Sequence, residues 1–221
     1  MIAEELINPM VPPLKLSDTA EKAILWMEEL KVNQLPVVDG RRFLGLITEE
    51  DILESNDLDK AISSFRLKGE NCYIHERQHL FDIIKVSREH ESELVAILSD
   101  EEEFLGVSSY QETLKAFANT LTIQNEGGIL VLTIQYLDYS LAEIARLVES
   151  DGVKIYGCYV SPHQSDSQRL LLTLKLNKED LSSVIATLER FGYQIIAKFH
   201  SSRFADSNRE RLDNLLKYLN I

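Results

Sequence analysis

Cysteine, proline and glycine are scarce in this 221-residue chain, which contains two, five and nine of them. So few glycines and prolines exclude a collagen-like or low-complexity chain. No apolar run reaches the ~20 residues that span a bilayer, and the acidic N-terminus has no apolar segment typical of a signal peptide. Cys72 and Cys158 form no C-x-x-C pair, so we expect both to be reduced core residues of a cytoplasmic protein. Because no apolar run is long enough to span a bilayer, we also expect no membrane partner.

Basic residues are also few, and their shortage is confined to one half of the chain. Residues 1–126 contain 12 Lys and Arg against 25 Asp and Glu, whereas residues 127–221 contain 11 of each. An acidic half followed by a neutral half predicts two units with separate surfaces. Neither half has the basic stripe that would neutralise phosphates, so we expect no nucleic-acid partner.

The acidic half contains an internal repeat. A helix capped by Asp18, strands over 35–38 and 41–47, and a helix from Thr48 make the first copy. The second copy has a helical stripe from Leu80, strands over 94–98 and 104–108, and a helix capped by Ser109. The order helix, strand, strand, helix thus occurs twice, and repeated units of this kind usually bury one shared core.

The neutral half has a different pattern. Strands are predicted over 129–136, 153–160, 169–176 and 193–199, with helices after Ser140 and over 177–191. This βαββαβ order is ferredoxin-like. A last helix is predicted within 201–221, with an apolar face formed by Leu212, Leu215, Leu216 and Leu219.

The first repeat resembles a CBS domain. Asn33-Gln-Leu-Pro-Val-Val-Asp39 and Phe43-Leu-Gly-Leu-Ile-Thr-Glu-Glu-Asp51 are similar to the family signature, in which a Gly, two apolar residues and a Thr or Ser precede an Asp. The second copy is degenerate, because it lacks the proline and has Glu112 in place of the Asp. The neutral half is similar to an ACT domain, and the whole order to acetoin-utilisation B-type CBS–CBS–ACT proteins.

The resemblance implies a mixed α+β and α/β fold, in which two CBS repeats form one module before the ferredoxin-like ACT domain. We assign 1–56 to the first repeat, 57–70 to a polar linker and 71–119 to the second repeat. The ACT-like domain covers 127–200 and the C-terminal helix 201–221. The resemblance implies a sensor rather than an enzyme. Because CBS pairs and ACT sheets commonly form homodimers, we also expect a homodimer.

The resemblance also implies a regulatory ligand. In CBS modules the signature Thr and Asp commonly hold the ribose and phosphate of an adenosine compound, and apolar residues enclose the base. The matching residues are Thr48, Asp51, Leu35, Pro36, Leu14 and Lys15, with Ser109 and Glu112 in the second repeat. AMP or another adenosyl compound fits this acidic half better than ATP. No cofactor is expected. The sequence contains no motif that identifies the protein or pathway that is regulated.

Each of these assignments has a competing interpretation. Thr48-x-x-Asp51 is also a helix cap, and Ser109-x-x-Glu112 is a better capping box than a ribose site. A ligand-free assembly scaffold is the alternative function. The ACT-like loop 136–140 has no glycine, which favours a role in dimerisation over amino-acid binding.

One catalytic motif is present and is discounted. His75-Glu76-x-x-His79 matches the zinc-hydrolase pattern, which needs both histidines on one face of a helix. The apolar helical stripe begins only at Leu80, so both histidines are predicted to precede the helix.

Overall fold

The computed structural model describes residues 1–199, and the predicted helix within 201–221 lies outside them. The chain divides into two compact units, Met1–Ala118 and the part from Asn119 onward. No helix among the described residues has the length and apolar character needed to cross a membrane.

The first unit contains the predicted repeat. Its first copy has β1 (Leu14–Lys15), α1 (Ala20–Leu30), β2 (Gln34–Asp39), β3 (Arg42–Thr48) and α2 (Glu49–Ser55). The second has β4 (Tyr73–His75), α3 (Leu80–Glu89), β5 (Leu94–Leu98), β6 (Phe104–Ser109) and α4 (Tyr110–Ala118). The predicted order is confirmed, and each copy gains a short leading strand. Two or three residues are too few to give a hydropathy alternation.

The two copies form sheets of the same design. In each three-stranded sheet the leading strand pairs in parallel with the next, which pairs antiparallel with the third. The repeated glycines occupy equivalent places, since Gly45 is opposite Val37 and Gly106 is opposite Ile97. A register shift follows each of these two pairs. The repeat therefore extends to the irregularities of the strands.

The N-cap of the first helix lies one residue after the predicted one. Thr19, not Asp18, is the N-cap, and its hydroxyl accepts a hydrogen bond from the Lys22 amide. The Asp18 carboxylate closes the preceding turn, because it accepts from the Lys15 amide and from Lys22 Nζ at 2.8 and 2.7 Å.

The segment 57–70 is not a purely polar connection. It contains a 3₁₀ helix, Ile62–Ser64, and the Ile62 side chain is completely buried in the core of the first unit. Isolated bridges join Ala61 to Thr19 and Lys68 to Leu46. Phe65 and Leu67 of this segment also pack against that core, which the mostly polar composition of the segment does not indicate.

The second unit is ferredoxin-like. After α5 (Leu121–Gln124) come β7 (Ile129–Gln135), α6 (Leu141–Ser150), β8 (Ile155–Pro162), β9 (Arg169–Leu176), α7 (Ser182–Arg190) and β10 (Gln194–Phe199). The antiparallel sheet has the order β10-β7-β9-β8. Leu130, Leu132 and Ile134 belong to its buried core, as strand alternation predicts.

Two predictions about this unit need correction. The second helix begins at Ser182 rather than at 177, because the preceding backbone turns back on β7, where the Gly128 amide donates to the Lys178 carbonyl at 2.7 Å. Cys158 is exposed, whereas Cys72 is buried as predicted. Cys158 lies on β8, an edge strand of the sheet, which explains its exposure.

Candidate functional site

Thr48 and Asp51 lie together where β3 ends and α2 begins. Thr48 is the N-cap of α2, and its Oγ1 accepts a hydrogen bond from the Asp51 amide at 3.1 Å. The same hydroxyl donates to Asp51 Oδ2 at 2.5 Å. The predicted helix cap is therefore present, and it also holds a hydroxyl and a carboxylate side by side.

The third member of this cluster is Lys68, which sequence reasoning missed. Its Nζ lies 2.7 Å from Asp51 Oδ1, and 58% of its side chain is exposed. The backbone at Lys68 is fixed by two hydrogen bonds with Leu46, at 2.7 and 2.9 Å. No local pattern relates Lys68 to the Thr48 motif, since the contact depends on how the segment 57–70 folds back on β3.

The cluster changes the proton affinity of its members. Burial alone would raise the pKa of Asp51, but hydrogen bonds from Lys68 and Thr48 outweigh it, so the pKa lies below its ordinary value of 3.8. The hydrogen bond that Lys68 donates to Asp51 correspondingly raises the pKa of Lys68. Asp51 and Lys68 are therefore both charged at neutral pH.

This lowered pKa predicts a pH dependence of stability. A carboxyl group whose pKa is lower in the folded chain contributes stability above its unfolded pKa, and that contribution is lost as pH falls through the folded pKa. We expect the difference in free energy of unfolding between wild type and Asp51→Asn to be largest near pH 7. It should shrink progressively below about pH 4. Urea unfolding of both proteins from pH 7 to pH 3 measures it, and a constant difference would contradict the assignment.

The predicted base-binding residues are divided between the two faces of the first sheet. Pro36 is opposite Leu46, and Gln34 is opposite Thr48, so alternation places Pro36 on the face of Thr48. Leu35 and Leu14 occupy the other face, because Leu14 is opposite Val37. Both leucines are completely buried in the core of the unit.

Pro36 and Lys15 remain on the side of the cluster. Pro36 is buried and Lys15 is exposed. Lys15 is opposite Val38 in the parallel pair, which puts it on the face of Pro36. The structure thus brings Thr48 and Asp51 together, places Pro36 and Lys15 on their side of the sheet, and directs Leu14 and Leu35 into the core.

A residue of the second repeat also reaches this region. Ser92 Oγ lies 2.7 Å from Gln34 Oε1, and Gln34 is the residue opposite Thr48. Ser92 is itself buried, with 7% of its surface exposed. The neighbourhood of Thr48 is therefore built from both repeats, which motif matching within one repeat could not reveal.

Ser109 and Glu112 form a helix cap in the second repeat. The Glu112 carboxylate accepts hydrogen bonds from the amide and the hydroxyl of Ser109, while Ser109 Oγ accepts from the Gln111 amide at 3.1 Å. A cleft of about 150 Å³ opens beside Ser109, and its lining includes Asn8 and Lys31. The capping box is thus present, next to a space smaller than a nucleotide needs.

The two histidines of the H-E-x-x-H motif do not share a helix. His75 ends β4, and its Nε2 lies 3.0 Å from Glu102 Oε1. His79 is the N-cap of α3, and its Nδ1 accepts from the Phe81 amide. The spacing that brings two ligands to one metal in a helix is therefore absent at these residues. Within residues 1–199, no three His, Cys, Asp or Glu side chains form a group that could hold a metal ion.

The ACT-like loop 136–140, in which the lack of a glycine favours dimerisation over amino-acid binding, has a defined structure. Residues Tyr136–Asp138 form a 3₁₀ helix directly after β7. The side chains of Tyr136 and Leu137 are 70% and 94% exposed, so they extend into solvent.

Comparison with known proteins identifies the first repeat. Residues 3–56 match the CBS domain family. The first repeat is a CBS domain. Its signature residues, Thr48 and Asp51, fall inside the matched range, whereas Ser109 and Glu112 of the second repeat fall outside it.

Two relatives extend the comparison. A CBS domain pair/ACT domain protein from Thermotoga maritima has a similar fold, with a TM-score of 0.50 and 21% identity over 55% of this chain and 99% of that one. Inosine-5'-monophosphate dehydrogenase of Methanocaldococcus jannaschii is 23% identical over 152 residues. That match covers 67% of this chain but 30% of the dehydrogenase. The fold is therefore of the CBS-pair type, as the resemblance predicted.

Proposed function

We propose that this chain is a non-enzymatic regulatory protein whose CBS module binds an adenosine-containing ligand at Thr48 and Asp51. The main support for this proposal is the cluster of the Thr48 hydroxyl, the Asp51 carboxylate and the Lys68 ammonium group where β3 meets α2. A carboxylate accepts hydrogen bonds from a ribose diol, and a neighbouring cation favours a phosphate. The CBS identity of the first repeat supports the same ligand class.

The charges around the cluster favour a ligand with little negative charge. Glu49, Glu50 and Asp51 all lie in the first turn of α2, so this short helix end does not attract an anion. Lys68 is the cation that pairs with Asp51. One lysine offsets the charge of a monophosphate better than that of a triphosphate. AMP or an adenosyl compound therefore fits the site better than ATP.

A thermal-shift panel tests this function. The purified 221-residue protein is heated with AMP, ADP, ATP, adenosylmethionine or NAD. A ligand at 100 times its dissociation constant adds about 2.7 kcal/mol of apparent stability. We expect AMP or adenosylmethionine to give the largest shift. No shift with any compound would favour the alternative, a ligand-free assembly scaffold.

We also propose that the protein acts as a homodimer in the cytoplasm, with the ACT-like unit serving dimerisation. In the first unit, an apolar patch formed by Phe81, Ile84, Leu114 and Phe117 supports a further contact between the two chains. These four side chains on α3 and α4 are between 37% and 63% exposed. The patch borders a cavity of about 380 Å³. Large exposed apolar patches usually mark interaction surfaces.

Light scattering tests the assembly. We expect a mass about twice the 25.2 kDa of one chain at micromolar concentration. Leu114→Glu should shift the mass toward one chain, because it puts a charge in the apolar patch. Leu58→Glu is the control, since Leu58 is 45% exposed in the segment 57–70, outside that patch. A folded wild-type monomer would contradict the dimer.

A further inference from the structure

The two repeats exchange the residues that approach their helix caps. Lys68 precedes the second repeat, yet its backbone is hydrogen-bonded to Leu46 of the first. Asn8 lies at the start of the first repeat, ahead of β1, and its amide donates to the Val107 carbonyl of the second at 2.7 Å. Leu46 and Val107 each follow the glycine of their own repeat directly. Lys68 and Asn8 therefore occupy corresponding positions beside the Thr48 and Ser109 caps.

This correspondence makes the two half-sites differ in charge. At the first, the Lys68 ammonium is 2.7 Å from the Asp51 carboxylate. At the second, the corresponding residue is the neutral Asn8, whose side-chain oxygen accepts from the Met10 amide. Among the described residues, the ion pair of Glu112 is with Lys115 of its own helix, whose Nζ lies 3.8 Å away and whose side chain is 74% exposed. The first half-site thus has a cation paired with its signature carboxylate across the fold. At the second, Lys31 lines the cleft beside Ser109, but no ion pair among the described residues joins Lys31 to Glu112.

The geometry at Lys68 suits a ligand that brings its own negative charge. An ammonium group has three N–H donors, and Asp51 occupies one of them. A nucleoside monophosphate can give its ribose hydroxyls to Asp51 and its phosphate to the remaining donors of Lys68. A neutral nucleoside competes with Lys68 for the same carboxylate, and it has no phosphate to accept hydrogen bonds from the Lys68 ammonium group.

We infer that Lys68 determines the selectivity of the first half-site for nucleoside monophosphates over the corresponding nucleosides. This inference rests on the proposed function, because it concerns the same Thr48–Asp51 site. It adds the chemical class of the ligand and the residue that recognises it. Without Lys68, the three carboxylates of the first turn of α2 would repel a phosphate.

Isothermal titration with AMP and adenosine tests the inference on the full chain. We expect wild type to bind AMP about tenfold more tightly than adenosine, the value of one charge-assisted hydrogen bond. Lys68→Met should abolish that preference by weakening AMP while leaving adenosine unchanged or tighter. Lys68→Arg retains the charge and should retain the preference. Arg66→Met is the matched control, because Arg66 is an exposed cation in the same segment.

The outcomes separate this inference from the function on which it rests. Equal affinities of wild type for AMP and adenosine, or the same AMP preference in Lys68→Met, would overturn the role of Lys68 while the adenosine site stands. If wild type binds neither compound, the inference fails, and the proposed function fails with it when ADP, ATP, adenosylmethionine and NAD also give no thermal shift. A loss of AMP binding in Arg66→Met as large as in Lys68→Met would show a general charge effect and would also overturn the inference. Circular dichroism establishes that each variant is folded.

Discussion

Replacing Asp51 with alanine is expected to weaken AMP binding by about 100-fold or more, because two charge-assisted hydrogen bonds to the ribose are lost. The fold should survive, since the Asp51 side chain lies at the end of a helix and its partner Lys68 is largely exposed. The cost in stability should be about 1 kcal/mol or less. Titration calorimetry measures the affinity and urea unfolding the stability.

Two further variants make this result specific. Glu50→Ala removes an exposed carboxylate from the same first turn of α2, and we expect it to leave AMP binding unchanged or slightly tighter. Glu112→Ala should affect binding far less than Asp51→Ala, because Glu112 is engaged by Ser109 in its own helix cap. Equal losses from Asp51→Ala and Glu112→Ala would contradict the unequal half-sites.

Gly45→Ala is expected to have the largest effect on stability. Gly45 has φ +141°, a conformation that side chains rarely adopt, and a Cβ there would lie 2.7 Å from the Lys68 carbonyl oxygen. Backbone strain of this kind costs on the order of 1–3 kcal/mol, and the clash with a hydrogen-bonded backbone adds to it. We expect a loss of about 2–3 kcal/mol in the free energy of unfolding, measured by urea denaturation.

The corresponding glycine of the second repeat is the matched control. Gly106 has no positive φ, and a Cβ there would meet the side chain of Ile7 rather than a backbone atom. Side chains adjust more readily than backbone, so Gly106→Ala should cost less than Gly45→Ala. Because Gly45 faces the Lys68 backbone, Gly45→Ala should also weaken AMP binding, which Gly106→Ala should not. A smaller loss of stability in Gly45→Ala than in Gly106→Ala would contradict this account.

The hairpins and helices of both units could be predicted because their strands are continuous or alternating apolar runs and their helices have apolar residues at helical spacing. The pattern of Leu35 to Ile47 identifies β2 and β3, and Leu130, Leu132 and Ile134 identify the inner face of β7. The leading strands β1 and β4 could not be found in this way. They are short, and they exist because they pair in parallel with β2 and β5.

Helix periodicity was also insufficient to distinguish a core face from an interaction surface. Leu80 and Ile83 of α3 are buried, but Phe81 and Ile84 of the same predicted stripe are exposed. Both sets are apolar and helically spaced, so hydropathy treats them alike. Only the tertiary packing separates them, and that packing is what suggests a second chain at Phe81 and Ile84.

The site itself was only half predictable. Thr48 and Asp51 are three residues apart in one motif, so their proximity follows from the helix start. Strand register places Gln34 opposite Thr48, and Gln34 is hydrogen-bonded to Ser92. The backbone hydrogen bonds between the segment 57–70 and β3 bring Lys68 to the same site. Those contacts depend on long-range pairing, which a motif does not encode.

Titration of the wild-type protein with AMP tests the central claim most directly. The account predicts saturable binding, with the heat lost in Asp51→Ala and retained in Glu50→Ala. If folded protein, checked by circular dichroism, gives no binding heat with AMP, adenosine, ADP, adenosylmethionine or NAD, the sensor function is contradicted. The ligand-free assembly scaffold would then be the remaining function.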